Sequence, residues 1–370
     1  MTIQTASVQT AYSTKPLEGA VGDFQAAFQG HAPRLLLLFA SSNYDAGALA
    51  PRIQDAFPNT CAAGCSTAGE IAAGKMLTGS VTAMAFDSDI VSDVAAVTVE
   101  RLSAGIDVSG ALERLEERLH VPRAQWNISK YVGLVLIDGL SGAEEKLLEK
   151  LGDATDVFFV GGSAGDDLKF QATHVFAEGR ALTDAAVLVL LRLERGFEII
   201  KTQSFRSTGK PLVATSVDEA HRTVREFNHK PALQAYAEAL GVTPAEAPEQ
   251  FFKHPLGLMV DGEPFVRSPQ KAAGDAMVFY CNIKEGTELE VLEGTDIVTD
   301  TRHAIAARSS KEVRGLVDFH CILRTLQLRQ EKRCDQYGEI FRGIPMAGFS
   351  TYGEAYLGHL NQTSTILLFH

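Results

Sequence analysis

The chain has 370 residues, 45% of them hydrophobic and 22% charged, with a formal net charge of −12. That length exceeds one ordinary domain and suits two, and the composition is that of a folded chain and not of a disordered one. The acidic balance argues against a general nucleic-acid binder, which needs clustered Lys and Arg to displace counterions from phosphates.

The polar start MTIQTASVQTAYSTKPLEGA lacks both the apolar core and the basic lead-in of a signal peptide. No stretch reaches the roughly 20 apolar residues of a membrane span, so a cytoplasmic location without a membrane span is expected. The first apolar run, RLLLLFASS (34–42), predicts a buried strand entering a loop. DAGALAPRIQDAFP predicts a short helix that begins near Asp45 and is stopped by Pro58. The turn GCSTAGEI (64–71) follows, then a strand through TGSVTAMAF (78–86).

The same order returns with YVGLVLIDG (131–139), a helix through GAEEKLLEKLGD, the turn in DVFFVGGSAGDD, and the strand DAAVLVLLRL (184–193). It returns again with GLVDFHCILR (315–324), a polar helical stretch through Glu339, GIPMAGFSTYGEA and the terminal TSTILLFH. Gly, Ser, Thr, Gly and Glu stand in identical register in GCSTAGE and GFSTYGE, and GGSAGDD (161–167) is a looser copy. Repeated β-α-turn-β units predict an α/β, mixed α+β architecture of mixed sheets covered by helices.

Between the second and third copies, SFRSTGKPLVATSVDEAHRTVREFN (204–228) predicts short strands and KPALQAYAEALG a helix ended by Gly241. TPAEAPEQFFKHPLG reads as a Pro-rich loop, and DAMVFYCNIKEGTELEVLEG as a hairpin-like pair around Lys284 to Thr287. A boundary near Gly196 to Lys210 divides the chain into modules of residues 30–200 and 210–370. The five cysteines, Cys61, Cys65, Cys281, Cys321 and Cys334, are odd in number and scattered, which predicts reduced thiols.

In the repeated turn, glycines admit positive φ, and Ser66, Thr67, Ser350 and Thr351 can hydrogen-bond the local backbone. A nucleophile elbow is excluded because Ala68 and Tyr352 stand where it needs Gly, and neither a P-loop nor a well-placed dinucleotide fingerprint is present. No catalytic role is therefore expected. Equivalent turns can point into a shared crevice beyond the carboxyl ends of the strands. The corresponding strand-end positions read as Ala40, Asp138 and His320.

GCSTAGEI, HPLG with FVRSP (254–257 and 265–269), and the closing GFSTYGEAYLGHLNQTSTILLF together resemble the FIST proteins. The resemblance covers roughly Leu35 to Phe369 and implies a bacterial cytosolic sensory protein made of N- and C-terminal FIST modules. It further implies, from one subgroup, a haem b that senses nitric oxide and a signalling partner such as a histidine kinase or a cyclic-di-GMP enzyme, hence two-component signalling and biofilm control. A homodimer is compatible with it. His320 is the first choice of iron ligand, ahead of His359 and His254; a neutral imidazole is a common haem ligand. The alternative is a haem-free receptor for an amino acid or other metabolite, with Arg267, Asp138 and the hydroxyls of Ser66, Thr67, Ser350 and Thr351 as its binding groups.

Overall fold

The computed structural model describes residues 3–4, 7–308 and 311–370. Each repeat is longer than its apolar strands alone announce, because a strand and a helix precede the first long strand. The first copy runs strand Val8–Ser13, helix Leu17–Ala27, strand Leu35–Ser41, helix Ala46–Ala56, turn strand Cys61–Thr67, a hairpin (Glu70–Ala72 and Lys75–Leu77) and strand Val81–Phe86. The second runs Asp93–Glu100, helix Val108–Leu119, Tyr131–Ile137, helix Glu144–Ala154, turn strand Phe159–Ser163, a hairpin (Val175–Ala177 and Arg180–Leu182) and Ala185–Arg192. The third begins with strand Phe197–Gln203 and resumes at helix Ile297–Arg308. Strand Gly315–Cys321, helices Ile322–Gln330 and Cys334–Gly338, turn strand Met346–Thr351, a hairpin (Glu354–Ala355 and His359–Leu360) and strand Thr363–Phe369 complete it.

Contacts divide the chain into two compact units. Met1–Lys201, Arg302–His359 and Ser364–His370 form the first; Thr202–Thr301 and Leu360–Thr363 form the second. The third copy thus folds with the other two, and the second unit is inserted in sequence within it.

In the first unit each copy makes one sheet, and the three sheets share one order, leading strand, last strand, first long strand, turn strand, donated hairpin, to which the first adds the short strand Ile3–Gln4 outside its leading strand. The hairpin always comes from another copy. That of the first copy pairs with the third copy's turn strand (Gly348 opposite Ile71), that of the third with the second's (Gly161 opposite Ala355), and that of the second with the first's (Gly64 opposite Phe176). The exchange closes a ring of three.

The first long and turn strands pair in parallel in all three copies and are buried throughout the long strand. Burial on both faces explains their unbroken apolar runs. Leu37, Phe39, Leu134, Leu136, Val317 and Phe319 belong to one core shared by the three sheets, where the ring of Phe39 packs tilted against Phe349 and that of Phe86 against Phe369, each pair with centroids 4.7 Å apart. The opposite faces take helices: Leu36 and Leu38 pack with Phe24, Leu49 and Ile53 in the first copy, and Val135 and Ile137 with Leu112, Leu115 and Leu147 in the second.

The second unit is an antiparallel sheet around the long strand Phe205–Asp218, with helix Ala232–Leu240 against it. Gly241 ends that helix at φ +77°, a left-handed conformation that glycine adopts without strain. The expected hairpin about Lys284 to Thr287 does not form. Ala276–Phe279 pairs with Thr223–Phe227 and Pro269–Ala273, whereas Glu288–Gly294 pairs with Phe205–Asp218 and Leu256–Val260. Each strand finds its partners through longer-range pairing, which a local turn signal does not reveal.

Candidate functional site

The repeated turn is the joint of the ring. In each copy the serine's backbone brackets the turn of a neighbour. Ser66 N donates to His174 O (2.8 Å) and Ser66 O accepts from Gly165 N (2.9 Å); Ser163 does the same with Gly353 O and Tyr352 N, and Ser350 with Gly69 O and Ala68 N. Thr67 then donates to Glu70, and Thr351 to Glu354 at 2.6 Å, closing both S-T-x-G-E turns through buried hydroxyl–carboxylate pairs.

The first glycine answers a steric demand. A Cβ at Gly64, Gly161 or Gly348 would stand 1.8, 1.9 or 2.4 Å from the carbonyl oxygen of Leu38, Val135 or Asp318 on the adjacent parallel strand. Positive φ, the conformation expected for the turn glycines, occurs at Gly69 (φ +132°). At Gly353 the demand is again steric, since a Cβ would meet His359 Nε2 at 1.9 Å.

Strand register corrects the equivalence of Ala40, Asp138 and His320. Opposite the three turn serines stand Ala40, Ile137 and His320. Asp138 lies one residue further on, so in an alternating strand it is not the counterpart of His320. Its buried carboxylate is satisfied locally by Leu140 N, Thr173 Oγ1 and Asp184 N.

The helix-covered face of the third copy departs from the other two. Where Ala40 and Leu38, or Ile137 and Val135, lie in apolar layers, the third copy buries His320 and Asp318. Asp318 accepts from Tyr337 OH (2.9 Å) and Ser364 Oγ (2.6 Å). Burial nonetheless pushes its pKa up to about 6. Burial, and then the Arg324 guanidinium, hold His320 well below the usual imidazole range. Both His320 ring nitrogens lack a hydrogen-bond partner, the ring centroid is 4.6 Å from that of Tyr337, and Ser350 Oγ is bonded to Thr325 Oγ1 at 2.7 Å.

A neutral imidazole with unspent nitrogens has the donor chemistry of an iron ligand. The space around it does not fit a porphyrin: His320 is 0% exposed, and it lines none of four cavities of 320 to 590 Å³ in the first unit.

One of these cavities, of about 320 Å³, opens beyond the carboxyl ends of the first copy's parallel strands. Its walls include Ser42, Asp45, Ser66, Asp166, Lys169 and His174, from the first copy and the loop of the second. Asp45 caps the helix Ala46–Ala56 by accepting from Ala48 N (3.1 Å). Lys169 Nζ donates to Ser42 Oγ (2.8 Å), and Asp167 beside it accepts from Ser41 Oγ, Ser42 N and Ser42 Oγ. Burial works against the Asp166 carboxylate, but Tyr352 OH and the N–H groups of Gln171, Phe170 and Ala172 keep its pKa below the ordinary value.

Of the expected binding groups, Ser66 lines this cavity, while its hydroxyl also accepts from His174 N (2.9 Å). Thr67 and Thr351 serve the turns. Arg267 belongs to the second unit, where its guanidinium donates to Val266 O at 3.2 Å. His254 is there too, with Nδ1 3.1 Å from Leu292 O. Sequence reasoning missed Lys169, His174 and the residues around Asp45; the cue was present in the helix start directly after a buried strand.

The FIST N domain matches residues 34–230 and the FIST C domain residues 232–356. An uncharacterized protein of Methanocaldococcus jannaschii, MJ1623, is 24% identical over 272 residues, which are 69% of this chain and 50% of that protein. The match thus spans about half the length of that relative. Among the described residues no helix is long and apolar enough to cross a membrane. FIST domains are sensory, ligand-binding domains of signalling proteins. With its two domain matches joined end to end over most of its length, the chain belongs to the FIST family.

Proposed function

We propose that the protein senses an amino acid or a similar small carboxylate, held in the cleft between the first and second copies, and reports it to a signalling partner. The observation that carries this reading is the 320 Å³ cavity beyond the strand ends, walled by charges of both signs. Its size lies at the small end of the range for ligand sites, about 300–1,000 Å³. Lys169 and the N-terminal end of helix Ala46–Ala56 suit a carboxylate, and Asp45 and Asp166 suit an ammonium group. A ligand bridging the two copies stabilises whichever arrangement of them it binds better, and that differential affinity is the signal available to a partner.

The test is a thermal-shift screen of the full chain against amino acids and small carboxylates. A ligand at 100 times its Kd adds about 2.7 kcal/mol, a rise of several degrees for a domain of this size, at about 2–4 °C per kcal/mol. Lys169→Ala should abolish the shift while leaving the ligand-free Tm within about a degree. A flat screen, or a shift indifferent to Lys169→Ala, sinks the reading.

A second reading is favoured by the unpartnered nitrogens of His320: a haem b ligated there, sensing nitric oxide and acting on a histidine kinase or cyclic-di-GMP enzyme. It requires the helices Ile322–Gln330 and Cys334–Gly338 to withdraw from the sheet. Spectra of the haem-supplemented protein in ferric, ferrous and NO-bound forms decide it, with His320→Ala alongside. A Soret band that is absent, or unchanged in the variant, removes His320 as ligand.

A further inference from the structure

We propose that Glu144, Glu145 and His359 form a binding site for a divalent metal ion, Zn²⁺ in particular, between the second and third copies. The ring of copies makes three inter-copy joints, and this one lies at the second. Glu144 and Glu145 open helix Glu144–Ala154, as Ala46 opens the corresponding helix at the first joint; His359 sits on the hairpin that the third copy donates. One ligand atom from each of the three side chains lies within 4.8 Å of the other two.

Four observations make this more than an acidic cluster. His359 and Glu144 are 5% and 3% exposed, so an imidazole and a carboxylate are withdrawn from water side by side with a second carboxylate. His359 Nδ1 stands 3.1 Å from Glu145 Oε1, close to the separation of two ligands held about 2 Å from one tetrahedral ion. His359 Nε2 is buried against Gly353 without a hydrogen-bond partner, which leaves Nδ1, the nitrogen that faces Glu145, as the ring's ligand atom. Ser163 Oγ donates to Glu144 Oε1 at 3.1 Å, the kind of outer hydrogen bond that orients a metal-ligating carboxylate.

The ring is also held in place. Its Nε2 fills the space that a side chain at residue 353 would take, so the glycine of the third turn is what admits the imidazole. Glu145, with a side chain 26% exposed, gives the site its path to solvent. One nitrogen and two carboxylates make a three-ligand set with a coordination position left for water or an anion, the pattern of open zinc sites.

The experiment uses the full chain stripped with chelator, titrated with Zn²⁺ in competition with a chromophoric chelator, and then loaded with Co²⁺ so that its visible absorption reports geometry. One equivalent of Zn²⁺ and a tetrahedral-type Co²⁺ spectrum are expected. Glu145→Gln, a partly exposed position, should weaken binding at least tenfold, and Ser163→Ala by about 10- to 100-fold through the outer hydrogen bond. Circular dichroism of each variant checks that it is folded. Binding no tighter than that of Glu145→Gln, or unchanged in both variants, overturns the proposal and leaves His359 and Glu145 a plain ion pair. The amino-acid screen reads a different joint, so either proposal can fail without the other.

Discussion

Replacing Glu70 by Gln should stabilise the protein by an amount that grows as pH rises from about 5 to 7, and leave it almost unchanged below the ordinary carboxyl pKa of 4.5. Glu70 is 1% exposed, and burial pushes its pKa from the ordinary 4.5 up to about 7, against the opposing hydrogen bonds from Ser80 and Thr67. A carboxyl whose pKa is raised by folding binds its proton more tightly in the folded state. Its contribution is whole below the unfolded pKa and is lost as pH rises through the folded one.

The rise is 7 − 4.5, about 2.5 units, and at 1.36 kcal/mol per unit the ionised form costs the folded state about 3 kcal/mol. The wild type should therefore lose about 1 kcal/mol by pH 5, about 2 by pH 6 and about 3 by pH 7, and level off above. Gln carries no charge at any pH. Its amide oxygen can accept from Ser80 N and Oγ, as Glu70 Oε2 does, and its NH₂ can donate to a rotated Thr67 hydroxyl. Urea denaturation of both proteins from pH 5 to 8 gives the difference directly, and Asp318, which titrates in both, cancels. A difference that stays constant across this range would refute the reasoning, because a desolvated charge must act through its titration.

Gly161→Ala should destabilise the first unit by several kcal/mol or prevent its folding, since the new Cβ would stand 1.9 Å from Val135 O within a parallel pair. Gly152→Ala, in the exposed part of helix Glu144–Ala154 where a Cβ meets nothing within 4 Å, should instead stabilise by about 0.5–1 kcal/mol. Equal Tm changes for the two would contradict the close-approach argument. Tyr337→Phe removes a hydroxyl from the buried Asp318 carboxyl and should cost about 1–3 kcal/mol; a loss under about 0.5 kcal/mol in urea denaturation would mean that Ser364 alone satisfies that group. The same variant should raise the Asp318 pKa above about 6, because the Tyr337 hydrogen bond lowers it, seen as a loss of stability with rising pH that continues to higher pH than in the wild type.

Much of the first unit was legible in the residues. Apolar runs such as Leu35–Ser41, Tyr131–Ile137 and Gly315–Cys321 must be strands buried on both faces, and the repeated G-x-S motif marked where each chain turns. Less legible were the leading strands Val8–Ser13, Asp93–Glu100 and Phe197–Gln203, which carry more polar or half-exposed positions. In the third copy, the insertion between strand and helix hid them further. The candidate site was read only in part: Ser66 was named, but Lys169 and His174 lie more than a hundred residues away in sequence and reach it only because the second copy's loop docks on the first.

The sequence by itself determined that a strand, helix, turn and strand recur three times, because local periodicity and the steric demand for glycine act over a few residues. Only the tertiary structure decided that each copy gives its hairpin to another, that Ile137 and not Asp138 stands opposite its turn serine, and that the third copy alone sets Asp318 and His320 among its buried helix-facing positions. Those outcomes depend on which sheet edge is left free and which strand register buries the core, and both are settled between residues far apart in the chain.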